Sequence, residues 1–424
     1  MKPNADDLKN REKAKGAVLW EKMNEEYRIL GRVYRGVPGT TFFARFADPA
    51  ETESYKKLVH LGSYNYSGLN NDIRIIQVAT DAIQKYGVTS SGVRLLNGTS
   101  DVHLDFEKAL AAFLGVEEAV TYSSGYLTNI SALGCLCYPE DLVFSDRLNH
   151  QSIVDGLALS QSTVIKYNHN DMVDLEKKLS SHVGGKNAKK FIVTDSIFSM
   201  DGDIADLKSI VSLAKKYGCY VIVDEAHATA AYGPNGRGVV AALGLIEDVD
   251  LILSSLSKGL PGIGGFAAGK KSIISILRYS SHGYVFSASL PPSTLAGLTK
   301  ALEILTSEPK IQDKLRANAD YLRTNLIKLG FHLGNSETAI IPVLLTDIDT
   351  TCRFTKLLQE AGVYANPVTF PAVPIKLPRL RLNVSAALTQ EELDFAINAF
   401  KEVGYKLGVI QINKGDSVGM RPKL

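Results

Sequence analysis

Short, unbroken runs of apolar residues recur through the middle of the chain and alternate with longer stretches of helical periodicity. The apolar runs are residues 119–122, 142–144, 163–165, 191–194, 220–223 and 251–253. The helical stretches between and before them include residues 101–114, 171–179 and 207–217. Strands that are apolar throughout are typical of a parallel sheet covered by helices on both faces. The pattern therefore predicts an α/β fold with a mostly parallel central sheet.

The two ends of the chain have a different pattern of apolar and polar residues. Residues 6–30 mix charges with apolar positions and predict an amphipathic helix, whereas residues 32–53 are rich in Gly, Pro and aromatics and predict an irregular connecting arm. Residues 293–326 predict one long helix. It leads into a smaller α+β unit with strands near 340–345 and 380–384.

These changes in sequence pattern predict that the chain has four segments. They are an N-terminal helix and arm over 1–57, a large domain over 58–300, a small C-terminal domain over 301–408 and a tail over 409–424.

Composition and charge narrow the class of protein. The 424 residues carry 47 Lys plus Arg against 45 Asp plus Glu, a formal charge of only +2, which argues against a nucleic-acid-binding surface. No apolar run approaches the ~20 residues that span a bilayer, and the N-terminus lacks a signal-peptide core. We therefore expect a cytoplasmic enzyme with no integral membrane segment. Cys135 and Cys137 lie in an apolar segment and are expected to be buried thiols.

The stretch SSLSKGLPGIGGFAAGKKS, residues 254–272, contains two lysines that suggest different chemistries. Gly264, Gly269 and Lys270 match most of the phosphate-binding loop of a nucleotide hydrolase, and the string DEAH at 224–227 resembles the acidic motif of helicase-like ATPases. However, Lys271 stands where the loop requires a hydroxyl for Mg²⁺. The acidic motif also precedes the glycine loop, the reverse of the usual order. We therefore expect Lys270 to be an ordinary surface charge.

The other lysine, Lys258, follows the apolar run at 251–253, and Asp224 ends the run before it. Ligands of open α/β sheets bind outside the carboxyl ends of the strands, so both side chains are expected at one edge. Pyridoxal phosphate (PLP) requires a lysine that forms a Schiff base and an Asp that pairs with the pyridine nitrogen. Lys258 and Asp224 therefore predict a PLP site.

Two further segments are expected at the same edge. Residues 123–126, Ser-Ser-Gly-Tyr, open a predicted helix after the run at 119–122, and the N–H groups of a helix N-terminus suit a phosphate. Tyr126 offers either a hydrogen bond to that phosphate or a ring contact. His150 follows the run at 142–144, from where it can stack on the cofactor ring.

With these residues assembled, the chain resembles an α-oxoamine synthase, a family of fold-type-I PLP enzymes, over roughly residues 55–400. The motifs are GSYNYSGL (62–69), SSGVRLLNGTSDVHLDFEKALAAFLG (90–115), SSGY (123–126), DRLNHQSIVDG (146–156), DSIFSMDGD (195–203), VDEAHATAAYGPNGRG (223–238), SLSKGLPGIGGF (255–266), YVFSASLPP (284–292) and RLRLNVSAA (379–387). The resemblance implies a large PLP-binding domain with a mostly parallel sheet and a smaller α+β C-terminal domain.

The resemblance also implies roles for individual residues. Lys258 would carry the cofactor and move the substrate α-proton, with Asp224 on the pyridine nitrogen, His227 on the ring hydroxyl oxygen and His150 over the ring. The remaining cofactor contacts would be Ser124, Gly125, Tyr126, Ser199 and Ser255, with Ser287 reaching the phosphate of a neighbouring subunit. Asn65 and Arg381 would bind the amino-acid carboxylate, for which an arginine fork is a natural partner. The implied active unit is a homodimer.

The implied reaction is decarboxylative condensation of an α-amino acid with an acyl-CoA to give an α-amino ketone, CoA and CO₂. The motifs look most like the serine palmitoyltransferase branch, which uses L-serine and a long-chain acyl-CoA. An acyl-CoA substrate could draw the protein to the periphery of a membrane.

Three departures from the branch pattern keep other substrates open. Thr369 stands where an arginine is expected, Leu388 replaces a histidine and Val93 replaces a serine. The alternatives are an α-oxoamine synthase of secondary metabolism, a glycine- or alanine-using relative, an aminotransferase or lyase of the same fold, and a non-catalytic partner subunit.

Overall fold

The computed structural model describes residues 15–46 and 55–411, and within them the chain forms two compact units. The large unit comprises residues 64–316 and 337–339. The small unit comprises residues 15–46, 55–63, 317–336 and 340–411. Each unit has its own sheet structure.

The strands and helices of both units are numbered here in chain order. The strands are β1 Arg32–Arg35, β2 Thr41–Phe46, β3 Lys56–His60, β4 Glu118–Tyr122, β5 Leu142–Asp146, β6 Thr163–Tyr167, β7 Lys190–Asp195, β8 Tyr220–Asp224, β9 Leu251–Ser255, β10 Gly265–Gly269, β11 Ile340–Leu344, β12 Val363–Tyr364, β13 Asn366–Val368 and β14 Arg379–Asn383. The helices are α1 Lys15–Tyr27, α2 Ile73–Tyr86, α3 Asp101–Leu114, α4 Gly125–Leu136, α5 Gln151–Ser160, α6 Met172–Ser181, α7 Leu207–Tyr217, α8 Val239–Ala242, α9 Lys271–Ser280, α10 His282–Val285, α11 Pro292–Ser307, α12 Lys310–Lys328, α13 Ile348–Glu360 and α14 Gln390–Lys406.

A seven-stranded sheet in the order β4-β10-β9-β8-β7-β5-β6 forms the centre of the large unit. The strands from β9 to β6 run parallel, and β10 lies antiparallel to both of its neighbours. Side chains of Val143, Ile222 and Leu253 belong to one buried apolar cluster, which explains why these strands read as unbroken apolar runs. The predicted α/β class with a mostly parallel sheet is confirmed.

The small unit is an α+β structure with two sheets. One sheet has the order β1-β2-β3-β12 and the other the order β11-β14-β13. The rings of Phe331, Phe354 and Phe400 pack together, with centroids 5.7 to 5.9 Å apart. These rings join α13 and α14 into one apolar core.

Two predicted elements were wrong in type or extent. The arm predicted as irregular over 32–53 contains β1 and β2, whose residues pair in register, for example Tyr34 with Ala44; residues 47–54 lie outside the described part. The single helix predicted over 293–326 is two helices, α11 and α12. They separate at Glu308, which has φ −122° and ψ 66° and precedes Pro309, because a proline disfavours helical backbone in the residue before it.

Other expectations were met only in part. The N-terminal helix predicted over 6–30 is seen as α1, and its residues before Lys15 lie outside the described part. The predicted tail begins at residue 409, of which only residues 409–411 are described. Cys137 is buried as predicted, whereas Cys135 is only half-buried.

Among the described helices, none has the length and apolar character needed to cross a membrane.

Candidate active site

A cavity of about 250 Å³ lies in the large unit where β7, β8 and β9 end. The predicted site residues that line it are Ser124, Gly125, Tyr126, His150, Ser199, Asp224, His227, Ser255 and Lys258. Residues that were not predicted also line it, namely Asn129, Ser152, Asp195, Ala226, Ser254 and Ser257. The cavity therefore brings together most of the chemistry expected from the sequence.

Asp224 ends β8 with its carboxylate held by two donors. Its Oδ1 accepts a hydrogen bond from Ala226 N at 2.8 Å, and its Oδ2 accepts one from Asn129 Nδ2 at 2.6 Å. The residue is buried, with 4% of its surface exposed. Donors of this kind stabilise an ionised carboxylate, so the site presents a fixed negative charge on the cavity wall.

A chain of hydrogen bonds connects Asp224 to His150. The second hydrogen of Asn129 Nδ2 goes to Ser152 Oγ at 2.8 Å, and Ser152 Oγ lies 2.7 Å from His150 Nδ1. Since Ser152 Oγ accepts from the amide, its own hydrogen is available for His150 Nδ1. A neutral His150 then carries its ring proton on Nε2.

The turn before α4 packs without room for side chains. Ser124 caps the helix, accepting from Leu127 N at 3.0 Å. A Cβ atom added at Gly265 would lie 2.4 Å from Thr128 Oγ1 and 2.6 Å from Gly125 Cα. Only a glycine at position 265 therefore lets the backbone of β10 pack this closely against the turn. The N-terminus of α4 is thus held against β9 and β10, where its N–H groups can bind an anion.

The loop that carries Lys258 is fixed from both sides. Ser67 Oγ donates to Gly259 O at 2.6 Å, and a Cβ atom at Gly259 would lie 2.4 Å from Thr229 O. Leu256 N donates to Gly264 O at 2.9 Å, which closes the loop, and Gly264 has φ +117°, a value that glycine adopts without strain. The half-buried Lys258 amine is therefore presented from a rigid backbone.

His227 is oriented by a residue that was not predicted. Its Nδ1 lies 2.9 Å from the hydroxyl of Tyr66, which belongs to the GSYNYSGL motif and is almost completely buried. Tyr64 of the same motif approaches the histidine ring edge to face, with centroids 6.1 Å apart. The motif at 62–69 thus supplies two residues that contact His227.

Asp195 is a second buried carboxyl group beside Asp224. The two residues are neighbours in register on β7 and β8, and Asp195 Oδ2 accepts from His150 N at 2.7 Å. Burial raises the pKa of Asp195 well above its ordinary value, and the charge of Asp224 raises it further. The cavity therefore contains a carboxylate with two donors beside a second carboxyl group whose pKa is raised.

Tyr126 and Ser255 also line the cavity. The Tyr126 hydroxyl donates to Asp155, and its ring meets that of His150 edge to face with centroids 6.3 Å apart. Ser255 Oγ lies 2.8 Å from Ser257 Oγ. Ser255 packs directly against the turn, since a Cβ atom added at Gly125 would lie 3.1 Å from Ser255 Oγ.

Three predicted residues do not line this cavity. Ser287 Oγ lies 3.2 Å from Ser123 Oγ and borders a separate, largely apolar cavity of about 470 Å³. Asn65 is buried in the large unit. Arg381 is buried in β14 of the small unit, in register with Pro342 and Asn366.

The competing lysine, Lys270, does not line this cavity. Its amine forms an ion pair with Asp250 at 2.7 Å, and 47% of its side chain is exposed. This agrees with the expectation of an ordinary surface charge.

The residues missed by sequence reasoning carry weak signals. Asn129 lies one helical turn beyond Gly125, where nothing in the sequence marks it. Ser152 and Asp195 lie inside motifs at 146–156 and 195–203, so the motifs could have drawn attention to them.

Comparison with known proteins places the chain in a family. A family model for aminotransferases of class I and II matches residues 56–400. The chain is 40% identical over 348 residues to a serine palmitoyltransferase of Sphingobacterium spiritivorum, covering 82% of this chain and 87% of the relative. It is 41% identical over 356 residues to an 8-amino-7-oxononanoate synthase of Thermosipho melanesiensis, covering 84% and 90%.

Among solved structures, one of serine palmitoyltransferase (SPT) with PLP as the internal aldimine matches this chain with a TM-score of 0.89. The two sequences are 31% identical, and the match covers 96% of this chain and 100% of that chain. The chain therefore belongs to the aminotransferase class I and II family and has the fold-type-I architecture. Within that family it is an α-oxoamine synthase, one of the PLP-dependent acyltransferases, as the motifs indicated.

Proposed function

We propose that this chain uses PLP to condense an α-amino acid with an acyl-CoA, releasing CoA and CO₂ and forming an α-amino ketone. The observation that carries the proposal is a single cavity lined by Lys258, Asp224, His150 and the N-terminus of α4. Serine palmitoyltransferase and 8-amino-7-oxononanoate synthase relatives at about 40% identity support the same reaction class.

The donor set of the cavity fits PLP. The turn at Gly125 offers helix N–H groups for a phosphate and leaves no space for a Cβ atom at Gly265. Asp224 supplies a buried carboxylate whose charge suits a protonated ring nitrogen, and Lys258 supplies the amine. When bound, PLP supplies a conjugated ring that accepts the electron pair released at the substrate α-carbon.

The side chains around this ring divide the work. Lys258 would hold the cofactor through its amine, and once a substrate amine has displaced it, the freed amine would take the proton from the substrate α-carbon. Asp224 would keep a proton on the ring nitrogen. His150 would face the ring, with its Nδ1 accepting from Ser152.

His227 and Ser199 contact the ring hydroxyl oxygen in this proposal, and the Tyr66 hydroxyl fixes the orientation of His227. Ser124, Gly125, Tyr126 and Ser255 bind the phosphate. Asn65 and Arg381 bind the substrate carboxylate, with Arg381 as a bidentate partner.

For the substrates, we propose L-serine and a long-chain acyl-CoA. Support comes from the motif pattern and from the SPT structure with its TM-score of 0.89. The second candidate is an amino acid and acyl donor of the 8-amino-7-oxononanoate synthase type, favoured by a relative that is 41% identical.

The departures from the serine palmitoyltransferase pattern bear on this choice. Thr369 and Leu388 are completely buried, and Thr369 Oγ1 donates to Phe370 O, at 3.3 Å. A buried threonine engaged with its own backbone offers no charged contact to a substrate carboxylate. Val93 pairs with Ala288 in the loop that carries Ser287.

The visible absorbance of the PLP-treated protein tests the cofactor and the amino acid together. We expect a band above the protein absorbance that shifts with L-serine and not with L-alanine or glycine. Release of CoA thiol from a long-chain acyl-CoA and from pimeloyl-CoA then identifies the acyl donor. Lys258→Ala is the control, and a variant that kept full activity would refute the proposal.

We also propose that the active unit is a homodimer in which Ser287 contacts the phosphate bound by the partner. Phe286, beside it, leaves 77% of its surface exposed in the single chain, as expected of a residue that a second copy covers.

A further inference from the structure

A histidine outside the cavity lies between two carboxylates. His169 follows β6, and its Nδ1 lies 3.1 Å from Asp146 Oδ1 while its Nε2 lies 2.8 Å from Asp203 Oδ2. Asp146 and Asp203 are both buried. The histidine ring also packs edge to face on Phe198, with centroids 4.4 Å apart.

This geometry defines the charge of the ring. A neutral imidazole donates from one nitrogen only, so a ring with a carboxylate oxygen at each nitrogen satisfies both contacts only when doubly protonated. Burial by itself lowers the pKa of His169, but the hydrogen bonds to Asp146 and Asp203 outweigh it and raise the pKa to about 10. Two other acids follow His169 closely in the chain, Asp171 in the turn before α6 and Asp174 in α6 itself. Asp171 accepts a hydrogen bond from Val173 N, and Asp174 accepts one from Asn168 N.

The two carboxylates belong to two different loops of the cavity. Asp146 ends β5 and accepts from Leu148 N at 2.8 Å, two residues before His150. Asp203 closes the hairpin at 195–203, where Phe198 N donates to Asp203 O at 3.1 Å, next to Ser199. His150 and Ser199 both line the cavity.

We propose that His169 is a positioning residue whose doubly protonated ring ties the loop carrying His150 to the loop carrying Ser199. The inference deepens the proposed function and rests on it, since those two residues are there the contacts to the cofactor ring. By bridging two buried carboxylates, the ring keeps the spacing of the two loops fixed before the cofactor arrives.

Hydrogen exchange of the cofactor-free protein tests the bridge directly. In His169→Gln, which retains one donor group, we expect exchange to rise about tenfold in both segments 147–150 and 196–204. We also expect PLP to dissociate severalfold faster from the loaded variant. His182→Gln, an exposed histidine on the same unit, is the matched control and should change neither quantity.

A second variant separates positioning from general stability. In Asp203→Asn the new amide can donate to Nε2 while Nδ1–H donates to Asp146, so a neutral ring satisfies both contacts. After correction for intrinsic exchange, the wild type should lose protection of both segments between pH 8 and about 10.5. Asp203→Asn should keep that protection.

Two results would overturn the inference. One is unchanged exchange, or exchange raised in only one segment, in His169→Gln. The other is an equal loss of protection in the wild type and Asp203→Asn at high pH. If no form of the protein binds PLP, the proposed function fails instead, and the exchange measurements still decide whether His169 joins the loops.

Discussion

Asn129 holds the buried carboxylate of Asp224 in place. Its amide donates to Asp224 Oδ2 at 2.6 Å. A hydrogen bond to a charged group contributes about 1.5–3 kcal/mol. Asn129→Leu should therefore weaken PLP binding by roughly 10- to 100-fold, because the carboxylate loses one of its two donors and is held less firmly. Titration of the apoprotein with PLP, followed by absorbance, measures the change.

Ser152→Ala is the matched control for this substitution. It removes the other contact of the same amide and leaves the donor to Asp224 in place. A loss of affinity smaller than in Asn129→Leu is expected. Equal losses would show that the chain of hydrogen bonds acts as a unit and that Asn129 has no separate effect on Asp224.

Glu225 gives the protein a pH dependence that is independent of the cofactor. Burial raises its pKa to about 7, although its Oε1 accepts from Val240 N at 2.9 Å. Between the unfolded value near 4.5 and about 7 the folded state binds more protons than the unfolded state. Protonated Glu225 therefore makes a contribution to the free energy of unfolding that is fully present below pH 4.5 and is lost as the pH rises through 7.

Glu225→Gln should remove that loss. The free energy of unfolding of Glu225→Gln minus that of the wild type should therefore increase by on the order of 3 kcal/mol from pH 4.5 to pH 8. Denaturant unfolding of the cofactor-free protein at several pH values measures this difference. Glu402→Gln, at an exposed position of α14, controls for the substitution itself. A constant difference between Glu225→Gln and wild type at all pH values would contradict the argument.

At the scale of residues, the sequence allowed prediction of those side chains that follow strands directly. Lys258, Asp224 and His150 stand at strand ends, and the parallel sheet brings such ends to one edge. Asn129 could not be predicted in this way. It lies inside α4, and its role follows from packing of that helix against β9 and β10, which brings the amide to Asp224 and which no local pattern reports.

At the scale of elements, the glycine of β10 decides how closely α4 approaches the sheet. A Cβ atom at Gly265 would lie within 2.8 Å of Gly125 N. Gly265→Ala should push the N-terminus of α4 away, destabilise the protein by about 1–3 kcal/mol and lower its affinity for PLP. Thermal unfolding and a PLP titration check both effects. Gly185→Ala, where an added Cβ meets nothing within 4 Å, should leave both unchanged.

Strands were predicted correctly where burial on both faces of the sheet requires a continuous apolar sequence, as in β7 to β9. The strand β10 was missed because its sequence, GFAAG, lacks the large β-branched residues that mark a strand. The break between α11 and α12 was missed although Pro309 marks it, since the apolar period continues on both sides. The strands β1 and β2 were missed although their sequences, RVYR and TFFARF, contain the Val, Tyr, Thr and Phe residues that favour strands.

At the scale of the whole molecule, the single chain leaves apolar side chains exposed on the loops around Ser287. Leu96 has 80% of its surface exposed and Phe286 has 77%. The loop of Leu96 is joined to the loop of Ser287, because Val93 pairs with Ala288 and Ser289 N donates to Gly92 O at 3.0 Å. Exposed apolar groups in one neighbourhood are typical of a surface that another chain covers.

Leu96→Glu should therefore shift the protein from dimer to monomer and reduce PLP retention, because the partner would no longer present Ser287 to the phosphate. Light scattering after size-exclusion chromatography measures the mass. Val183→Glu places the same charge at a residue that is 85% exposed and far along the chain from these loops, and it should leave the mass unchanged. A monomeric wild type that retains PLP would refute the shared site, while a dimer that survives Leu96→Glu would move the interface to another surface.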